Sequence, residues 1–174
     1  MALKPDRHVL FTDLSYFMLN TGERGGVVCS VTGYTPGSGA AMDYLGQRVA
    51  YTAQSSGYQP VGLLLTDVVN IDQSRQFLNP YKSEAQIGDK VLLLKKGWVV
   101  TNFLTNTANL ATGDMPCDAF LGPTGTLTNI NPNNAATTAS GYVFNLAGTA
   151  YAKVGRFISR KDSDGFAKVF IDIQ

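Results

Sequence analysis

From Phe166 to Ile173 (FAKVFIDI), Ala167, Val169, Ile171 and Ile173 fall on one face and Lys168, Asp172 and Gln174 on the other. That period of two predicts a half-buried antiparallel strand. Lys153 to Ser159 (KVGRFIS) precedes it across Arg160 to Gly165, and Asp164-Gly165 suits a turn with positive φ, so a terminal hairpin is expected. Upstream, Val27 to Val31 is β-branched or small, and Val61 to Val69 (VGLLLTDVV) is a short apolar run. Val91 to Leu94 and Trp98 to Thr101 read as a second hairpin with Lys95-Lys96-Gly97 at its tip. A strand pair is predicted around Ala119 to Leu121 and Thr126 to Asn129, turning on Pro123-Thr124-Gly125. Val61-Gly62 and Val154-Gly155 each open an apolar run, which suggests two related strands.

The N-terminal segment differs. Asp6 to Asn20 is dense in large apolar side chains and stops at Thr21-Gly22-Glu23-Arg24-Gly25-Gly26, as an arm followed by a joint would. Leu10, Leu14, Phe17 and Met18 fit a helical stripe, whereas Leu10, Thr12, Leu14 and Tyr16 alternate as on a strand, and the pattern does not choose. Thr32 to Ala41 is a Gly and Pro loop leading to a short helix predicted over Met42 to Ala53. Thr105 to Thr112 and Asn129 to Ser140 are Asn and Thr-rich loops. The organisation expected is an arm and joint over 1–26 and a β-rich domain over 27–174, with little helix.

Composition agrees with the β reading. Eleven Asp stand against two Glu, and Asp favours turns where Glu favours helices. The formal charge is +1 and charged residues are 16% of the chain, so no basic field favours nucleic acid. The apolar run Val9 to Phe11 is cut by Thr12 and Asp13, too short for a signal core, and no run has the length of a membrane span. Cys29 and Cys117 lie far apart without a CxxC pattern, so quiet thiols in a reducing compartment are expected, with no metal site.

Candidate chemistry is sparse. Thr32 to Gly39 (TGYTPGSG) matches a glycine-rich dinucleotide loop, but no tyrosine has a lysine four residues later and βα alternation is missing. His8 is the one histidine and no GxSxG presents a serine, which leaves a hydrolase triad without its parts. Asp162-Ser163-Asp164-Gly165 resembles the start of a calcium loop, yet Lys168, Val169 and Phe170 stand where a later acid belongs, so a hairpin turn is the better reading. No enzyme and no cofactor are expected. Aromatics of the arm (Phe11, Tyr16, Phe17) and of loops (Tyr34, Tyr58, Tyr81) instead favour a protein that docks on a partner. Lys95, Lys96, Arg160 and Lys161 are expected at hairpin tips, solvated or facing an acidic partner.

Taken in order, MALKPDRHVLFTDLSYFM, GERGGVV, GSGAAMD (Gly37 to Asp43), PVGLLLTDVVNID (Pro60 to Asp72), LLLKKGWVVTN (Leu92 to Asn102) and VGRFISRKDSDGFAKVFIDI (Val154 to Ile173) resemble the capsid decoration, or cement, proteins of tailed bacteriophages, particularly marine and cyanobacterial phages. The resemblance implies a small antiparallel β-barrel or β-sandwich with an extended arm. It also implies a homotrimer on the outer surface of the mature capsid, bridging neighbouring subunits of the major capsid protein, assembled in the bacterial cytoplasm, with neither nucleic acid nor membrane as partner. On this reading the arm, Met1 to Asn20, reaches over the capsid or an adjacent protomer, with Leu10, Phe11, Leu14, Tyr16 and Phe17 as apolar anchors and Arg7 as a polar clamp. Removing residues 1–20 is then expected to lower occupancy and leave the β-domain folded. The alternative is a tail or fibre adhesin whose Asn and Thr-rich loops recognise a host glycan.

Overall fold

Alternation and short apolar runs become strands almost wherever they occur. A computed structural model describes residues 2–31, 47–53, 58–70, 84–105, 110, 114–129 and 152–173. The strands are β1 (Leu3–Met18), β2 (Val27–Ser30), β3 (Arg48–Ala50), β4 (Pro60–Leu64), β5 (Asp67–Val69), β6 (Glu84–Gln86), β7 (Lys90–Thr101), β8 (Cys117–Leu121), β9 (Leu127–Thr128), β10 (Lys153–Phe157) and β11 (Ala167–Asp172). The mainly β class expected from the sequence is the class found. One sheet runs β1-β3-β2-β4-β7-β11-β10-β8-β9, and β1 also pairs with β7, which closes β1, β3, β2, β4 and β7 into a five-stranded barrel. Strands β5 and β6 form a small parallel pair.

Every barrel strand sends a side chain into one cluster: Met18, Val28, Val49, Leu64, Val91 and Leu93 are buried together. The intervening residues Val27, Cys29, Leu63 and Leu94 pack the other way, against Val99, Ala119, Phe157, Val169 and Ile171 of the adjoining strands. Strands β2 and β4 are therefore buried on both faces, which is why VVC and LLL lack alternation. Strand β11 covers the second cluster with one face only, so Ala167, Val169, Ile171 and Ile173 are buried while Asp172 is exposed. Both Val-Gly pairs mark bulges. Val61 is the extra residue between the partners Val28–Gly62 and Cys29–Pro60, and Val154 the extra one between Lys153–Phe120 and Gly155–Ala119.

Two elements depart from expectation. Lys95-Lys96-Gly97 is no hairpin tip: β7 runs unbroken from Lys90 to Thr101, and the lysines sit in mid-strand. The strand changes neighbours at this point. Its Leu93 and Leu94 pair with β4, whereas Lys96 to Thr101 pair with β11, and β1 lies along the opposite edge throughout. Gly97 adopts φ 145°, and a Cβ there would lie 2.3 Å from the His8 carbonyl oxygen, so a glycine that resembles a turn signal serves the corner where β7 passes from β4 to β11. The end of the helix predicted over Met42 to Ala53 is also corrected, because Arg48–Ala50 is β3, held by β1 and β2. Residues 47 and 51–53 are not helical either, while residues 42–46, the Thr32 to Gly39 motif, Tyr34, Tyr81 and most of the two Asn and Thr-rich stretches lie outside the described residues. The terminal hairpin and the β8–β9 pair around Pro123–Gly125 have the predicted antiparallel pairing.

The N-terminal arm is extended, as strand β1, with Leu3 3% and Met18 0% exposed at its ends. The buried Thr101 hydroxyl lies 3.0 Å from the Ala2 carbonyl and 2.8 Å from that of Gly25, and it accepts the Phe103 N–H at 3.1 Å. Arm, joint and barrel are tied at this one side chain. Removing residues 1–20 would take a stave out of the closed barrel, so the remainder is now expected to lose stability without it. Gly97→Ala is predicted to destabilise the fold by about 2–4 kcal/mol, through a strained φ and the clash with His8, read as a lower midpoint in urea unfolding.

Candidate docking surface

Between its buried ends β1 turns outward. Val9, Leu10, Phe11 and Leu14 are 41%, 54%, 60% and 54% exposed, an apolar ridge on a strand held by β7 along its whole length. Strict alternation would bury every second one of them. Instead the whole stretch from Pro5 to Phe11 is exposed, both where pairing with β7 is regular, at Arg7, His8 and Val9, and at the register shifts on either side of Phe11. The predicted contact residues thus divide into two groups. Arg7, Leu10, Phe11 and Leu14 are exposed, whereas Tyr16 and Phe17 are half-buried. Tyr16 packs against the barrel core with the Lys95 ammonium 5.0 Å from its ring centre, and the Lys90 ammonium stands 5.7 Å from that of Phe17. Val9 was not singled out, although it belongs to the same apolar run.

A second feature that sequence reasoning missed is a row of side chains across five strands. Asp118 (β8), Arg156 (β10), Phe170 (β11), Trp98 (β7) and His8 (β1) are successive cross-strand partners on one face. Lys168 lies 3.5 Å from the Trp98 ring centre, His8 is tilted 60° against Trp98 at 6.3 Å, and Lys153 meets Asp118 at 2.8 Å. Only register reveals the row, since its members are scattered along the chain.

The strand is anchored by charge at its start. The Lys4 ammonium meets Asp162 at 3.0 Å and Asp164 at 3.7 Å, with its charge 4.4 Å from the Phe166 ring centre, so the turn proposed for Asp162 to Gly165 also fastens β1. The Phe166 N–H, 2.7 Å from Asp162, and the Lys4 ammonium hold the Asp162 carboxyl below its ordinary range. Further along, burial opposes ionisation of Asp13, but hydrogen bonds from Ser15 and the nearby Lys95 charge hold its carboxyl low.

A cleft of about 520 Å³ lies at the joint, lined by Glu23, Tyr51, Asp67, Glu84 and Phe103 among others. Several of its polar groups already serve the fold. The Tyr51 hydroxyl donates to the Glu23 carbonyl at 2.7 Å, Glu23 accepts the Ala2 N–H at 2.9 Å, and Asp67 accepts the Arg24 N–H at 2.8 Å. Burial pushes the Tyr51 phenol well above its usual value, which keeps it a neutral donor. The ring stacks on Phe103 at 5.8 Å and lies within 3 Å of where a Cβ on Gly22, Gly26 or Gly125 would be. Among the described residues no group of three or more His, Cys, Asp or Glu side chains has the arrangement of a metal site. No helix among them is long and apolar enough to cross a membrane.

Compared with known protein families, curated proteins and solved structures, the chain matches none.

Because the native carboxyl of Asp162 is depressed, its contribution to fastening β1 is complete above the unfolded-state value and is lost as pH falls through the native one. The Asp162 carboxyl carbon is expected to titrate by NMR at a lower pH than in an unfolded peptide, with the Lys4 side-chain resonances following the same midpoint.

Proposed function

We propose that this protein is a structural virion component that binds the outer surface of the mature phage capsid and stabilises it by bridging neighbouring major capsid subunits. The observation that carries the proposal is the ridge of Val9, Leu10, Phe11 and Leu14, large apolar side chains held in solvent by a strand whose ends are buried. Contiguous apolar surface of this kind marks a binding site more often than an ordinary surface. Because the strand is ordered before it docks, little conformational entropy is lost on binding. A ligand that binds the expanded shell and not the collapsed one stabilises it by mass action, so the role needs no chemistry. The resemblance in the order of sequence segments supports the capsid as the partner.

Cosedimentation with expanded capsids stripped of decoration tests the proposal. Saturable binding at a fixed ratio to the coat subunit is expected, and absence of binding would sink it and turn attention to host-cell adsorption. Phe11→Ala and Leu14→Ala should each weaken binding by about 1–2 kcal/mol, roughly five- to thirtyfold. Both side chains are exposed, so the free protein's stability should change by less than about 0.5 kcal/mol in a thermal melt.

A further inference from the structure

Strands β8, β10, β11 and β7 bury one face in the second cluster, through Ala119, Phe157, Val169 and Val99. Their alternate residues stand on the other face, where Phe170 and Trp98 are cross-strand partners and each keeps part of its surface in solvent. Polar side chains surround this aromatic pair. Arg156 and His8, both exposed, are its neighbours across the sheet. Two residues along the strands stand Lys168 on one side and, on the other, the ion pair of Lys96 with Asp172 at 3.5 Å. Cross-strand partners are about 5 Å apart and same-face neighbours along a strand about 7 Å, so all of these groups reach the space above the two rings. Asp118, 3.7 Å from Arg156 and 46% exposed, extends the polar rim to β8.

We infer that this sheet face binds a glycan, with a sugar ring lying on Trp98 and Phe170 and its hydroxyls on the surrounding side chains. Two observations choose that ligand. The first is that charges of opposite sign are interleaved, Arg156 beside Asp118 and Lys96 beside Asp172. A hydroxyl both donates and accepts, so it can use carboxylate and cation alike, whereas the phosphates of a nucleic acid would meet Asp118 and Asp172. The second is that the Trp98 ring already holds a positive partner, the Lys168 ammonium 3.5 Å from its centre. The C–H bonds on the face of a sugar ring carry partial positive charge, so they suit the same negative π face and take the place of a group the ring already accommodates. Aromatic side chains fixed on paired strands also lose little entropy on binding. The adhesin alternative put glycan recognition in the Asn and Thr-rich loops, whereas these side chains belong to regular strands. The inference does not rest on the capsid proposal, because it concerns the free protein and side chains other than the ridge.

Trp98 is the one tryptophan of the chain, so its fluorescence reads this site alone. The full chain is titrated with chitohexaose, maltohexaose and dextran, and with oligothymidylate as the polyanion. A saturable change with at least one of the sugars is expected, insensitive to salt. Phe170→Ala should raise the dissociation constant about tenfold, and Lys168→Ala, which removes the competing cation, should lower it. No response to any of the sugars, a stronger response to oligothymidylate that fades with salt, or sugar binding lost in Lys168→Ala would overturn the inference. Should Phe170→Ala melt early, amide shifts of the wild type on adding the responding sugar decide. Shifts centred on Trp98, Phe170 and Arg156 support the site, and shifts confined to other strands refute it.

Discussion

A strand has two edges, and the architecture follows from how β7 uses them. One edge is given to β1 from Lys90 to Thr101; the other is divided, with Leu93 and Leu94 on β4 and Lys96 to Thr101 on β11. The division joins a closed barrel to a second set of strands without a linker. It requires β7 to change its direction of burial midway, since Leu93 packs in the barrel while Val99 packs in the second cluster. Gly97, with its positive φ, absorbs that change. At the same place β1 carries register shifts on either side of Phe11.

The two clusters are linked through β2 and β4, whose alternate residues belong to one or the other. Burying both faces of these short strands removes much apolar surface per residue and leaves their polar backbone to be satisfied entirely by neighbours. Thr101 shows how closely that demand is met. Its hydroxyl serves Ala2, Gly25 and Phe103, so the start of the chain, the joint and the end of β7 depend on one buried polar side chain. Around the rim, lysines set over Phe17, Tyr16 and Trp98 shelter aromatic surface while keeping their charges at the water.

Legibility in the sequence followed the range of the interactions involved. The terminal hairpin was readable because alternation and an Asp-Gly turn are local, and the mainly β class because Asp, Gly and Thr outweigh Glu. Lys95-Lys96-Gly97 was misread for the same reason. A glycine with positive φ looks alike in a tight turn and at a corner, and only β4 and β11, distant in sequence, make it a corner. Arg48–Ala50 became a strand because β1 and β2 offered it edges on both sides, which no propensity reports. At the candidate surface, Leu10, Phe11 and Leu14 were legible as an apolar arm with Arg7 beside them, but Tyr16 and Phe17 are half-buried, Tyr16 against the barrel core, with the Lys95 and Lys90 ammonium groups near their rings. The row from Asp118 to His8 was hidden, because its register depends on four successive pairings.

The ridge on β1 is hard to account for as a folding device. Val9, Leu10, Phe11 and Leu14 bury little of their apolar surface against the described residues, so there they contribute little hydrophobic stabilisation and add an aggregation hazard. Polar side chains at these positions would keep the β7 pairing, which is made by backbone, and remove the hazard. A surface of this character on a strand pinned by Leu3, Met18 and the Lys4 ion pair has the properties of a docking element: it is apolar, ordered in advance and bound to β7, which among the described residues pairs with three other strands. Force applied to such a ridge would pass through β1 into β7 and from there to both clusters.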